Sequence, residues 1–413
     1  MIDVSASGPL AEDVSLYIHI PFCISKCSYC DFFSKSYNSS ELCFVIKRYV
    51  KALCKEMAFR FAKYKVKNIK TVYIGGGTPS LLSPEDFQII LGTVKNAVEK
   101  APAEITTSNF APREITVEVN PDDLSPDFLS GLEECGVSRI SCGIQSMNDA
   151  ALKKACRRSD AKTNRQALEL LKKNWKGDLS FDLISALPQD NEKTLLNSLE
   201  EVCDGKAEHI SLYSLTIEEN TPFGKDLAAG KLKYNFDEAD KLWIAGRNFL
   251  EKAGYEWYEV SNFCKSGKEC LHNLVYWTHG GYLGCGSGAC GSLYYKDGSG
   301  FRWTNTQDLE KYISYWEGNL SDEKELPQLF EEIDSETSRF EFFMMGLRKL
   351  KGITDREYKS IFNEELPEKF LRLFKQEEEK GLAECRMLSD GSVEYAMTRQ
   401  GILFLNPFLE KLC

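Results

Sequence analysis

Apolar and polar residues alternate over 15–20 ("SLYIHI"), the period-two signature of a strand, and that run ends directly on a group of cysteines. The pattern then changes to helical spacing, with Leu42, Ile46, Tyr49, Leu53 and Met57 recurring over 40–64. A β-branched run, "TVYIGGGTP" (71–79), is stopped by glycines, and the next helix opens with Ser83 as N-cap and Pro84 at its first position. The same grammar repeats. "EITVEVN" (114–120) precedes a helix opened by Ser125 and Pro126 and ended near Gly136, and "SRISCGIQ" (138–145) precedes helical runs around Leu152 and from Thr163 to Trp175. "LSFDLISALP" (179–188) precedes "EKTLLNSLEEV", and "HISLYSLTI" (209–217) is the sixth strand.

Strands alternating with helices predict a parallel α/β sheet joined by right-handed crossovers. Polar or glycine-rich elements stand near the C-terminal ends of most strands: the cysteines, Gly75–Thr78, Glu118, Gln145 and Asp182. In a (β/α) barrel those ends are where chemistry is assembled. Six units fall short of eight, so the expectation is an incomplete (β/α)6 barrel over residues 15–236, after an N-terminal tail of residues 1–14. Residues 237–334 read as a connecting region: a helix over 237–254, then about 50 residues rich in Gly, Tyr and Trp with little clear periodicity. Residues 335–413 read as charged helices and a hairpin, "LAECRML" and "VEYAMT" joined at "SDG", which predicts a mostly helical, winged-helix-like domain.

Charge and composition narrow the setting. Fifty-one basic residues against 62 acidic give a net charge of −11, which argues against broad nucleic-acid binding. The first residues lack the basic and apolar regions of a signal peptide, and no apolar run reaches the roughly 18 residues of a membrane span. Fifteen cysteines, odd in number and scattered, fit a reducing cytoplasm better than a disulfide framework.

Three of those cysteines are not scattered. "HIPFCISKCSYCDFF" (19–33) sets Cys23, Cys27 and Cys30 at C-x3-C-x2-C. Three readings compete: a structural zinc site completed by His19, three unrelated core thiols, and an iron–sulfur cluster. Structural zinc usually pairs two C-x2-C turns, and no second one occurs. A [4Fe-4S] cluster on three thiolates would keep one iron open to a small chelating molecule.

This cysteine spacing after a strand, with Tyr29 before the third cysteine, resembles the radical S-adenosylmethionine (SAM) superfamily. "YIHIPFC" and "GGGTP" resemble its branch of oxygen-independent coproporphyrinogen III oxidases and haem chaperones, from about Leu16 to the C-terminal helix. The resemblance implies that the open iron chelates SAM, whose reductive cleavage yields a 5′-deoxyadenosyl radical. It places Tyr17 and Tyr29 near the SAM methionine and Gly76, Gly77 and Thr78 at its amino group. Glu118, Gln145, Arg157, Asp182 and Thr216 match the remaining SAM contacts, with Arg158 one residue from Arg157. Standing alone, "GGGTP" would read as a strand-ending turn, and no Gly-Lys-Ser/Thr follows to make it a phosphate loop.

Two features separate the members of that branch. The oxidases follow the third cysteine with a C-x-C pattern, whereas residue 32 here is Phe, as in the chaperones. "CLHNLVYW" (270–277) resembles the chaperones' HN-x2-YW motif, linked to haem, which makes His272, Tyr276 and Trp277 haem-binding candidates. Without the resemblance, His272 reads as a hydrogen-bonding loop residue. Two positions depart from the family: Cys290 and Ser159 stand where histidines are common, and a thiolate from Cys285 or Cys290 is an alternative axial ligand. The resemblance implies a [4Fe-4S], SAM-binding haem chaperone that delivers haem to haem proteins, some of which could be membrane-associated, and that draws on an electron donor. The alternatives are a coproporphyrinogen III oxidase and a structural zinc protein.

Overall fold

The structure, a computed structural model, describes residues 13–99, 110–318 and 326–412. Apart from its last two residues, the expected tail 1–14 lies outside the described residues. Strands β1 (Asp13–Ile20), β2 (Asn68–Gly76), β3 (Glu114–Val119), β4 (Arg139–Gln145), β5 (Asp178–Ser185) and β6 (His209–Ser214) lie side by side in chain order, all parallel. Their side chains are buried on both faces because helices cover one face and the barrel interior fills the other. Helix α1 (Ser39–Tyr64) turns Ile46, Tyr49, Leu53 and Met57 inward. Each such side chain contributes about 1.5–3 kcal/mol over its exposed state. Helix α2 (Pro84–Glu99) begins where Ser83 Oγ accepts from the Asp86 N–H at 3.3 Å and Asp86 returns a bond to the Ser83 N–H at 3.1 Å. Helix α3 (Pro126–Glu134) is capped by Ser125, which accepts from the Phe128 N–H.

Residues 255–318 and 326–334 are not irregular. They supply six further strands: β7 (Glu256–Glu259), β8 (Asn262–Cys264), β9 (Tyr282–Cys285), β10 (Cys290–Tyr294), β11 (Gly300–Asn305) and β12 (Gln328–Ile333). The twelve run in the order β12-β11-β10-β9-β1-β2-β3-β4-β5-β6-β8-β7, so the sheet is extended at both edges. Strand β9 is parallel to β1, and β10 to β12 follow antiparallel. These strands have only three to six residues and glycine-rich turns, too short for alternation to stand out. A buried network ties β9 to α1: Glu56 accepts from Arg60 Nε (2.7 Å), the Gly286 N–H (2.7 Å), Asn305 Nδ2 (2.7 Å) and the Tyr312 hydroxyl (2.6 Å).

The C-terminal region packs three helices, Ser335–Gly346, Asp355–Phe362 and Glu368–Glu379, against a hairpin, Ala383–Met387 with Val393–Met397. Its core is aromatic, with Phe343 stacked on Phe370 at 4.4 Å. Among the described residues no helix is long and apolar enough to cross a membrane.

Candidate functional site

A cavity of about 340 Å³ opens at the C-terminal ends of β1 to β6. Its wall is built one strand at a time. After β1, Phe22–Cys23 pairs with Lys35–Ser36, which gathers residues 24–34 into a loop over the cavity. That loop is anchored from below, where the Ser28 N–H donates to Ala155 O and Ser28 O accepts from the Phe223 N–H, both at 2.9 Å. Cys23, Cys27 and Cys30 all line the cavity. Burial pushes the Cys30 thiol up to about 11. Cys23 Sγ lies 3.5 Å from Thr78 Oγ1, and Cys27 Sγ accepts from Arg157 Nη1 at 3.7 Å. His19 cannot serve as a fourth metal ligand here. Its Nδ1 is bonded to the Tyr17 hydroxyl (2.8 Å) and its Nε2 to Phe33 O (2.9 Å).

The glycine turn after β2 brings backbone to the wall. Gly76 has φ +117°, and a Cβ there would meet the His19 ring at 2.5 Å, so only glycine fits. Its N–H donates to Glu118 Oε2 at 3.0 Å, and the Tyr73 hydroxyl donates to Oε1 at 2.8 Å. Burial raises the Glu118 carboxyl to about 7 despite both bonds. Burial likewise raises Asp182 to about 6, although the Ser141 hydroxyl donates to it at 3.0 Å. These two carboxyls face one pocket from β3 and β5. Arg157 enters after a kink at Cys156 (φ +55°) and donates to Gly143 O (2.7 Å) and Asn120 Oδ1 (3.1 Å). Arg158 instead pairs with Asp123 at 2.6 Å, so Arg157 is the guanidinium that reaches the thiols. Gln145 sits at φ +66°, where the β4–β5 register shifts.

Of the ten residues expected to contact SAM, Tyr29, Gly76, Gly77, Thr78, Glu118, Gln145, Arg157, Asp182 and Thr216 line this cavity. Tyr17 does not: it packs beneath it, stacked on Tyr73 with ring centroids 6.3 Å apart. The sequence reading missed Asn120, Tyr213, Ser141 and Tyr73. Asn120 was findable, since it follows Glu118 by two residues and so shares its face.

The haem candidates lie at the opposite end of the barrel. Helix α4 (Leu271–Trp277) sits below the starts of β2 and β3, where Glu114 accepts from the N–H groups of Leu271 (3.1 Å) and His272 (3.0 Å) and from Arg139 Nε (2.9 Å). His272 is fully buried, not in an open loop outside the barrel. Its Nδ1 bonds Thr71 Oγ1 at 2.8 Å, its Nε2 bonds the Tyr276 hydroxyl at 2.9 Å, and its ring stacks on Tyr73 at 5.2 Å. Tyr276 and Trp277 are half-buried. Cys285 is fully buried, its thiol pushed well up by burial and by Glu56, whereas Cys290 is partly exposed.

A partial α/β barrel with three cysteines on the loop after its first strand, facing a polar cavity at the strand ends, is the architecture of the radical SAM superfamily, whose family model matches residues 17–202. The heme chaperone HemW of Bacillus subtilis (strain 168) is 34% identical over 394 residues, 95% of this chain and 97% of the relative. HemW of Haemophilus influenzae is 32% identical over 97% of this chain and 98% of the relative. Within the superfamily, the chain therefore belongs to the HemW family. The solved coproporphyrinogen III oxidase (HemN) of Escherichia coli superposes with a TM-score of 0.73, covering 97% of this chain and 90% of that one. At 18% identity that likeness shows a shared fold alone.

Proposed function

We propose that the chain is a haem chaperone that carries a [4Fe-4S] cluster on Cys23, Cys27 and Cys30, binds SAM in the adjoining cavity, and passes haem to haem proteins. The observation behind the cofactor reading is that three thiols and groups from successive strand ends face one small-molecule-sized cavity. Three thiols from one loop on one cavity are a soft donor set of the kind that holds iron–sulfur clusters. Among the described residues no three His, Cys, Asp or Glu side chains gather closely enough to hold a single metal ion. With both nitrogens of His19 engaged, the zinc reading loses its fourth ligand. When bound, the cluster and SAM supply one-electron chemistry.

The chain's own residues would hold and orient. Glu118 and Asp182 offer carboxyl oxygens to an ammonium and to hydroxyl groups. Arg157, lodged against Cys27, places a fixed positive charge beside the thiolates. Tyr29, Gly76, Gly77, Thr78, Gln145 and Thr216 complete the wall. Haem carriage is supported by the relatives that match nearly the whole chain, which are heme chaperones. Phe32, where the oxidases have cysteine, points the same way and stands 69% exposed at the cavity.

Haem contact at His272, Tyr276 and Trp277 remains part of this proposal on one condition. Helix α4 must unseat, because both His272 nitrogens are bonded within the fold. Cys290 is the better thiol alternative, since Cys285 is enclosed beside Glu56 and Arg60. An electron donor and haem-accepting proteins, membrane-associated ones included, are the partners proposed. The fourteen described cysteines are all free, which supports a reducing cytoplasm.

The test is an anaerobic assay of the cluster-reconstituted chain with coproporphyrinogen III, SAM and reductant, beside a haem titration. A saturable Soret shift without protoporphyrinogen formation is expected. Turnover of coproporphyrinogen without saturable haem binding would replace the carrier with the oxidase.

A further inference from the structure

Glu118 is the inner carboxylate of the cavity, and each of its oxygens accepts one bond from the fold while keeping acceptor capacity for a ligand: Oε1 from the Tyr73 hydroxyl, Oε2 from the Gly76 N–H. Space enforces that arrangement. A Cβ on Gly75 would lie 2.8 Å from the Tyr73 ring and 2.9 Å from the Glu118 carboxyl, so Gly75 lets the phenol and the carboxylate meet. Beneath, the Tyr73 ring rests on the His272 imidazole, 5.2 Å between centroids and 30° between planes. That imidazole is held from two sides. The Thr71 hydroxyl donates to Ser15 Oγ at 2.8 Å, which leaves its oxygen to accept from His272 Nδ1–H. Nε2 then accepts from the Tyr276 hydroxyl. Burial keeps the imidazole neutral, and Glu114 fixes its helix by accepting from two of its first N–H groups.

We infer that Tyr73 is a positioning residue for the Glu118 carboxylate, seated by His272, so that the floor of the barrel sets the SAM affinity of its mouth. This rests on the proposed SAM site and adds to it two residues that do not touch the cavity. The groups that bear on Glu118 are Tyr17 from β1, Tyr73 from β2, Asp182 from β5, Tyr213 from β6 and Tyr276 from α4. None is a cation, and Arg157 acts on Asp182. The hydroxyl of Tyr73 and the N–H of Gly76 are therefore what favour the charged carboxylate against its burial.

The experiment measures SAM affinity of the cluster-reconstituted chain by equilibrium dialysis from pH 6 to pH 9, with iron content as control. Tyr73→Phe should weaken SAM about tenfold at pH 7, the scale of one hydrogen bond to a charged group. The loss should shrink toward pH 9, where Glu118 is ionised with or without the phenol. In a Glu118→Gln background the same change should add little, because the two act as one unit. His272→Gln, a milder change that keeps a polar group on the floor, should weaken SAM about threefold in the same direction, on the scale of a second, indirect contact. A loss from Tyr73→Phe that is equal in both backgrounds and independent of pH, or no loss, overturns the inference and leaves the SAM site standing. Wild-type protein with full iron content and no SAM binding overturns the site itself and the inference with it.

Discussion

The two ends of the barrel are made from the same residue types and do opposite things. At the mouth, carboxyls, glycines, a guanidinium and three thiols face open space, and burial holds Glu118 near 7 and Asp182 near 6. At the floor, Glu114, Arg139, His272, Thr71 and Tyr276 face one another and their bonds are largely closed internally. A buried polar group that finds its partner within the fold stabilises that fold. One left facing a cavity is poised to gain from a ligand. The difference between the ends is thus one of satisfaction, and it predicts which variants unfold the chain and which only empty it.

The largest effect should come from the floor. Glu114→Ala leaves the buried Arg139 guanidinium without its main counter-charge, a loss of about 3–5 kcal/mol. Chemical denaturation should show the midpoint falling sharply. An unchanged midpoint would mean that α4 is not seated through Glu114.

The next should come from the mouth, with the opposite sign for stability. Glu118→Gln or Asp182→Asn should weaken SAM roughly 10- to 100-fold, as expected for loss of charge-assisted bonds. Glu118 has a folded value of about 7, above the ordinary carboxylate range. Its contribution to stability is therefore full below the unfolded value and is lost as pH rises through 7. At pH 8 the Gln variant should accordingly be as stable as the wild type or more so, by about 1–3 kcal/mol. Destabilisation at pH 8 would erase the contrast between the ends.

The smallest effect is a slope. Burial lowers His272 to about 3, so its contribution is full above its unfolded value near 6.5 and is lost as pH falls toward 3. Replacing it with Gln should reduce the loss of stability by about 1.4 kcal/mol per pH unit between pH 6 and pH 4. Parallel stability curves for the two proteins would show that His272 is protonated or exposed in the fold.

The same contrast explains what the sequence could reveal. Strands β1 to β6 were legible because each alternates or runs apolar for at least six residues and ends on chemistry: Cys23 after β1, Gly76 at the end of β2, Glu118 in β3. The pattern marked which strand ends carry chemistry, whereas the individual residues of the wall came from the resemblance to the family. Tyr17 shows the limit, since matching a family position did not tell that its ring packs below the cavity, on Tyr73. The floor was illegible. His272 meets Thr71, Tyr73 and Glu114 across 158 to 201 residues of chain, and no local pattern announces such partners. Strands β7 to β12 escaped for a related reason, since each gains its place from a neighbouring strand rather than from its own alternation.

Iron content bears most directly on the central claim that the mouth is a cluster site. Anaerobically reconstituted wild-type protein should hold about four irons per chain, as expected of one [4Fe-4S] cluster. Cys23→Ala, Cys27→Ala and Cys30→Ala should each lose them, while Cys43→Ala and Cys54→Ala, whose thiols lie on α1 away from the cavity, should keep them. Stoichiometric zinc without iron in the wild type, or full iron in the Cys27→Ala variant, would contradict the account.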